Sequence, residues 1–266
     1  MSGVVHLVGA GPGAPDLLTL RAARLLARAD VVFHDALVHP EVVALAQRAQ
    51  KIAVGKRCGA HSTAQRFINK RLIDAARRYA VVVRLKGGDP LLFGRAQEEL
   101  DALQAAGIAC EIVPGVSAAF AASAALGVSL TERAVARTVA FATPRAAAEH
   151  AASDWPASIL AADSAALYMA SEHASEIART LIARGKPLET PVVIVENASL
   201  ESQREHALTL AELAAHPPNL AGGPAILLLG PSYQRVLDAR VSASSEVHRP
   251  ARVPAARGAV VRNNYR

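Results

Sequence analysis

The chain has 266 residues, 52% of them hydrophobic, 20% charged and 4% aromatic. That is ample for a buried core in one large or two ordinary domains, and it excludes a disordered chain. So few aromatics argue against a surface that stacks single-stranded bases. The 29 Lys plus Arg against 23 Asp plus Glu suggest a basic protein, but five of the six net positive charges fall after residue 230. Residues 231–266 carry seven arginines, two acids and few large apolar residues, so they are expected to form a basic, disordered tail. The remaining body is close to neutral, so any acidic ligand must be held by local cations. Two cysteines, Cys58 and Cys110, make neither a disulfide framework nor a Cys-rich metal site.

Residues 1–8 lack the basic start and cleavage site of a targeting segment. The longest charge-free run, 112–131, is broken by Pro114-Gly115 and cannot serve as a span of about 20 apolar residues. A cytoplasmic location is expected.

In chain order, residues 4–8 read as a strand, and leucines at 17, 18, 20, 25 and 26 read as the buried face of a helix over 17–29. Residues 31–34 are the second strand, 41–48 a helix opened by Pro40, and 51–54 the third strand. A polar loop leads to a helix over 63–78, then to the strand 81–85. Residues 95–106 form a helix stopped by Gly107, 108–113 a strand and 117–126 a helix. This alternation predicts a parallel sheet covered on both faces. The second half is less regular, with strands at 138–142, 166–169, 192–196 and 225–229 and helices at 175–184 and 210–214. The expected organisation is therefore an N-terminal α/β domain over 1–133, a C-terminal α/β domain over 134–230, and the tail.

Ligands of open α/β sheets bind beyond the carboxyl ends of the strands, and the glycine-rich and polar segments fall there. Gly9-Ala10-Gly11-Pro12-Gly13-Ala14 follows the first strand, and Asp35 ends the second. Gly55-Lys56-Arg57, Gly87-Gly88-Asp89-Pro90 and Pro114-Gly115-Val116-Ser117 end the next three. The first loop imitates a dinucleotide fingerprint with Asp35 as the ribose acid, but that motif needs a helix to open at its third glycine. Pro12 and Pro15 favour an extended loop instead. The fourth loop is more specific: adjacent glycines let backbone approach a flat ligand, and Asp89 adds a carboxylate.

Taken together, residues 9–20, His34-Asp35-Ala36-Leu37-Val38, Val54-Gly55-Lys56-Arg57, His61-Ser62 with Gln65 and Asn69, residues 84–95 and Val113-Pro114-Gly115-Val116-Ser117 resemble the uroporphyrinogen-III C-methyltransferases of the tetrapyrrole methyltransferase superfamily. The likeness continues through Tyr168-Met169, Thr190-Pro191, Glu196-Asn197 and Gly223-Pro224-Ala225, in order, over about residues 3–230.

The resemblance implies a class III methyltransferase-like fold of two α/β domains, usually homodimeric, with S-adenosylmethionine in the cleft between them and S-adenosylhomocysteine as product. It implies C-methylation of uroporphyrinogen III at two pyrrole carbons, giving precorrin-2, on the routes to sirohaem and cobalamin. By the same likeness, cofactor contacts fall on Pro12, Gly87, Gly88, Asp89, Ser117, Ala118, Met169, Ala198 and Ala225, and Asp35 matches the catalytic carboxylate of the active-site loop, which orients a pyrrole N–H or helps remove a proton. A substrate bearing carboxylates on every ring calls for arginine forks and lysines; the candidates are Lys86 and Arg95 first, then Lys56, Arg57, Arg133 and Arg137. No metal, membrane or nucleic acid is expected.

Some positions depart from the pattern. Glu132 stands where the family usually has His, Thr143-Pro144-Arg145 replaces Thr-Gly-His, and Ala96-Gln97 replaces Gly-Gly. These departures leave two alternatives: a methylase of another tetrapyrrole, or a silent relative that still binds the cofactor.

Overall fold

A computed structural model describes residues 3–54, 62–144 and 154–247. The first sheet is built from β1 (Val4–Gly9), β2 (Val31–His34), β3 (Gln50–Ala53), β4 (Val81–Lys86) and β5 (Cys110–Val113). They are all parallel, in the order β3-β2-β4-β1-β5. The connections carry α1 (Leu20–Arg28), α2 (Pro40–Ala44), α3 (Ser62–Ala76) and α4 (Ala96–Ala105). Val83 and Leu85 face the α1 side with Leu25 and Leu26, whereas Val82 faces α3 and α4 with Leu72 and Leu103. β4 is therefore buried on both faces, and its last five residues are all buried. As Pro12 and Pro15 predict, the loop after β1 runs extended into a 3-10 turn at Pro15–Leu17, and α1 opens only after the Thr19 cap.

After α5 (Ala118–Ala125) comes a second sheet. It contains β6 (Val139–Ala142), β7 (Ser164–Tyr168), β8 (Pro191–Glu196), β9 (Arg204–Thr209) and β10 (Ala225–Leu229), in the order β6-β7-β10-β8-β9. β6 and β7 are parallel, and the other pairs are antiparallel. α6 (Trp155–Ala161), α7 (Ala174–Ala183) and α8 (Leu210–Ala215) pack on one face through Ile159, Leu181 and Leu213. The other face receives α5, whose Ala119 and Ala122 meet Val193, Ile226 and Leu228. A helix that follows the first sheet in sequence thus covers the second, which fixes the two sheets against each other.

One expectation is corrected here. The chain does not become a free tail at Pro231: Pro231–Tyr233 makes a 3-10 turn and α9 (Gln234–Val247) continues from it. Tyr233 is fully buried and Ser232 nearly so, so their contribution to the core outweighs the arginine-rich composition of the residues after them. Residues 248–266 lie outside the described residues.

Candidate active site at the junction of the sheets

Six segments at the strand ends touch one another in a closed circuit. The β1 and β4 loops pair through Gly11 and Gly88, whose N–H groups donate to each other's carbonyls at 3.3 and 2.8 Å. Asp89 ties the β4 loop to the β5 loop: one carboxylate oxygen accepts from the Leu91 N–H at 2.8 Å, the other from the Gly115 N–H at 3.0 Å. Gly9 and Gly115 are packed so closely that a Cβ on Gly9 would stand 2.6 Å from the Gly115 Cα. Only glycine fits such an approach.

From the β5 loop the circuit crosses to the second sheet. Ser117 occupies the N-cap position of α5 but makes no cap with its side chain; its hydroxyl instead shares a 2.5 Å hydrogen bond with the Tyr168 phenol at the end of β7. Burial pushes the Tyr168 phenol above its ordinary pKa, with Ser117 opposing, so it is neutral there at physiological pH. β7 lies beside β10, and the Asn197 N–H donates to the Pro224 carbonyl at 2.8 Å, joining the end of β8 to the start of β10. The loop after β8 closes the ring, because the Ala14 N–H donates to Ser199 Oγ at 3.1 Å and Gly13 lies against Leu200.

Among the described residues six non-glycine residues have positive φ, and five of them (Phe93, Arg95, Met169, Asn197 and Ser199) lie on these loops. Such conformations cost about 1–2 kcal/mol each and persist where surrounding structure enforces them. Phe93 and Phe141 flank the Tyr168 ring at 5.0 and 6.4 Å between centroids. Beyond Phe141, an apolar trough of about 570 Å³ opens between α5 and β6.

Comparison with known proteins identifies the arrangement. The model of the Tetrapyrrole (Corrin/Porphyrin) Methylases matches residues 4–214. The chain belongs to the tetrapyrrole methylases. It is 41% identical over 246 residues to a uroporphyrinogen-III C-methyltransferase of Pseudomonas aeruginosa, covering 92% of this chain and 100% of that protein. It is 47% identical over 231 residues to siroheme synthase 1 of Yersinia enterocolitica, covering 86% of this chain but 48% of that protein; the chain spans about half the length of such relatives. The solved uroporphyrin-III C-methyl transferase of Thermus thermophilus, complexed with S-adenosylhomocysteine, superposes with a TM-score of 0.77 at 35% identity, covering 88% of this chain and 100% of that one.

In this tetrapyrrole methylase all nine residues nominated for the cofactor lie on the circuit. Pro12 is in the β1 loop, Gly87, Gly88 and Asp89 in the β4 loop, and Ser117 and Ala118 at the start of α5. Met169, Ala198 and Ala225 are at the second sheet's strand ends. Asp35 stands just outside, beside the β4 loop: its N–H donates to the Leu85 carbonyl at 3.2 Å, and Leu37 of the same turn lies 3.8 Å from where a Gly87 Cβ would be.

The nominated cations fare differently. Lys86 does not line a cleft: it is 3% exposed, and its Nζ donates to the fully buried Glu99 at 3.0 Å. Burial, joined by the charge of Arg84, lowers its pKa, while Glu99 and Asp35 oppose. This corrects its assignment as a substrate ligand, because its ammonium is enclosed in the core against Glu99 and is not presented to a ligand. Arg95 is half-exposed and forked onto Glu98 at 2.7 Å through both Nε and Nη2. Arg133 and Arg137 are exposed. Lys56, Arg57, His61, Cys58 and Arg145 lie outside the described residues. Two residues that the motifs alone did not single out, Arg84 as a site residue and Glu99 at all, join Asp35 to the core. Arg84 Nη2 donates to Asp35 at 2.5 Å and its Nε to Glu99 at 2.9 Å.

Of the departures, Ala96 is buried on α4 within the first sheet's core, so its methyl fills space there. Glu132 pairs with Arg235 of α9 and does not offer a free negative charge to the site.

Proposed function

We propose that the chain transfers methyl groups from S-adenosylmethionine to two pyrrole carbons of uroporphyrinogen III, giving precorrin-2. The observation that carries this is the closed circuit of loops, on which Gly88 leaves the space beside its backbone open. Gly88 has φ +66° and nothing within 4 Å of the position a Cβ would occupy, whereas Gly9 and Gly115, on the loops beside it, are crowded by backbone. Backbone that open, on a circuit that also carries Pro12, Asp89, Ser117 and the half-exposed Met169, suits a flat adenosine with polar edges. The match to a uroporphyrinogen-III C-methyltransferase along the whole of that relative supports the same substrate.

When bound, S-adenosylmethionine supplies an electrophilic sulfonium methyl. The chain's work is then chiefly alignment and exclusion of water, which lowers the barrier through proximity. Gly87 and Gly88 present backbone to the cofactor, and Asp89 fixes their loop onto Gly115. Asp35, its side chain 30% exposed beside that loop, orients a pyrrole N–H or accepts the proton released after methylation. Arg95 and Arg133 are proposed to hold substrate carboxylates, Arg95 by exchanging its fork from Glu98 to the ligand. We further propose that residues 1–133 and 134–230 are two α/β domains, the second extended by α9, and that the protein is a cytoplasmic homodimer, as the family resemblance implies. No helix among the described residues is long and apolar enough to cross a membrane.

The test is an anaerobic assay with uroporphyrinogen III and methyl-labelled S-adenosylmethionine, counting methyl groups per product. Two are expected. One would place the second methylation elsewhere, and none, with cofactor binding shown separately, would overturn the substrate assignment.

A further inference from the structure

Arg84 is among the largest fully buried side chains of the described residues. It projects from the central strand β4 toward α3 and α4, where an aliphatic residue would pack at no electrostatic cost. Burying an ion costs several kcal/mol even when paired, and apolar replacements are often as stable. Stability alone therefore gives no reason for an arginine at this position.

Its guanidinium has two occupied edges. Nε donates to Glu99 Oε1 at 2.9 Å, and Nη2 donates to Asp35 Oδ1 at 2.5 Å; Nη1 adds the Leu85 carbonyl at 3.3 Å. Glu99, fully buried on α4, is held in turn: Lys86 Nζ donates to its second oxygen at 3.0 Å, and Gln65 Nε2 to its first at 3.3 Å. Gln65 is fixed by Asn69 at 3.0 Å, and Asn69 by the Glu98 carbonyl at 3.0 Å. Burial works against the Arg84 charge, yet Asp35 and Glu99 outweigh it and hold the guanidinium firmly protonated. The network has two acids and two bases, so it is neutral. Of its four charged members only Asp35, with its side chain 30% exposed, reaches solvent.

We propose that Arg84 is a positioning residue: anchored inside the core by Glu99, which Lys86 holds in turn, its Nη2 keeps the Asp35 carboxylate in place beside the Gly87-Gly88 loop. This deepens the proposed function and rests on Asp35 acting on the tetrapyrrole. A guanidinium can bridge two carboxylates from two edges, whereas an ammonium is a point charge on a flexible stem. Arg84→Lys thus preserves the charge balance and releases the Asp35 side chain.

The experiment compares wild type, Arg84→Lys, Asp35→Asn and the double variant. Arg84→Lys is expected to lower kcat about 10- to 100-fold, the scale set by misplacing a reacting group by about 1 Å. KM for uroporphyrinogen III and the cofactor Kd should stay within about twofold, since a residue acting only through Asp35 leaves binding alone. In the Asp35→Asn background Arg84→Lys should add no further loss in kcat, because the two act as one unit. An equal loss in both backgrounds, an unchanged kcat, or a parallel loss of cofactor binding overturns the proposal. A crystal structure of Arg84→Lys reads positioning without turnover: Asp35 displaced or in several rotamers supports it, and Asp35 unmoved overturns it. Failure of the substrate assignment shows in the wild type alone, and the crystal structure then decides the positioning claim by itself. If Arg84→Lys does not fold, Glu99→Gln takes its place: kcat reduced with cofactor Kd intact, or Asp35 displaced in its crystal structure, supports the role, while both unchanged overturn it.

Discussion

One guanidinium nitrogen of Arg235, in the first turn of α9, lies 2.8 and 2.7 Å from the two carboxylate oxygens of Glu132, 103 residues earlier. The pair joins the segment between the sheets to the C-terminal helix, and just before it Tyr233 is fully buried against α5 and the second sheet. These two contacts contribute unequally. The ion pair is exposed on both sides, so Glu132→Ala should cost less than about 1 kcal/mol. Tyr233→Ala removes a core aromatic and should cost about 3–5 kcal/mol. In a protein of this size that lowers the thermal midpoint by roughly 6–20 °C. Deleting residues 231–266 should therefore destabilise the protein. A midpoint unchanged by that deletion would show that Tyr233 contributes nothing to the core.

Two glycines a short distance apart should respond differently to alanine. At Gly115 a Cβ would strike the Gly88 carbonyl and lie 2.8 Å from the Gly9 Cα, all of it backbone. Gly115→Ala must push the β1, β4 and β5 loops apart, and is expected to lower both the thermal midpoint and cofactor affinity. At Gly88 the space is open, and the cost is that of positive φ alone, about 1–2 kcal/mol. Gly88→Ala should then weaken cofactor binding by more than its loss of stability accounts for, since the new methyl points into the place assigned to the ligand. Calorimetric titration beside thermal melts separates the two, and cofactor affinity unaffected by Gly88→Ala would remove the ligand from that position.

The first sheet was largely legible because its strands are buried β-branched runs closed by glycine-rich loops. Expected and observed limits there differ by two residues at most, as at 108–113 against Cys110–Val113. β9 was not legible: Arg204–Thr209 is a polar edge strand with no fully buried residue, so neither alternation nor hydrophobicity marks it. The loops that meet at the junction are marked by their motifs, and the buried Arg84–Glu99–Lys86 network is not. A signal did exist. Arg84 lies in a strand otherwise apolar up to Lys86, and a cation in a strand covered on both faces requires a partner. Glu99 shares the buried face of α4 with Ala96 and Leu103, at the three- and four-residue spacing of a helix. What sequence could not supply was that these positions meet across the sheet.

His6 gives the fold a pH dependence whose sign is set by burial. It is 4% exposed on β1, with Nδ1 3.1 Å from Glu111 Oε2. Burial lowers its pKa below the ordinary 6.5; Glu111 opposes the shift and Arg28 adds to it. As pH falls through about 6.5 the unfolded chain takes up this proton before the folded chain does, so stability is lost with acid and kept above that range. Thermal midpoints measured from pH 8 to 5.5 should fall less steeply in His6→Gln than in wild type, even though the variant starts lower. Parallel slopes would assign the acid sensitivity to other groups.

Tyr168 offers the sharpest test of the junction. Phenylalanine there keeps the ring contacts with Phe93 and Phe141 and removes the hydroxyl alone, leaving Ser117, 4% exposed, without its partner at 2.5 Å. The loss of a hydrogen bond with one group left buried costs about 1–3 kcal/mol. That cost falls on the contact holding the β5 loop to the second sheet. Tyr168→Phe is therefore expected to weaken cofactor binding by roughly 5- to 150-fold, since about 1.4 kcal/mol corresponds to tenfold. Ser117→Ala should do the same and the double variant little more, because the two hydroxyls form one interaction. Burial raises the Tyr168 pKa above 10, so the phenol keeps its proton from pH 7 to 9 and this contribution should be constant over that range, declining only as pH rises past about 10. Full additivity in the double variant would show that the two hydroxyls act separately on the site, and a cofactor affinity untouched by either change would show that the pair ties the sheets together without shaping the site.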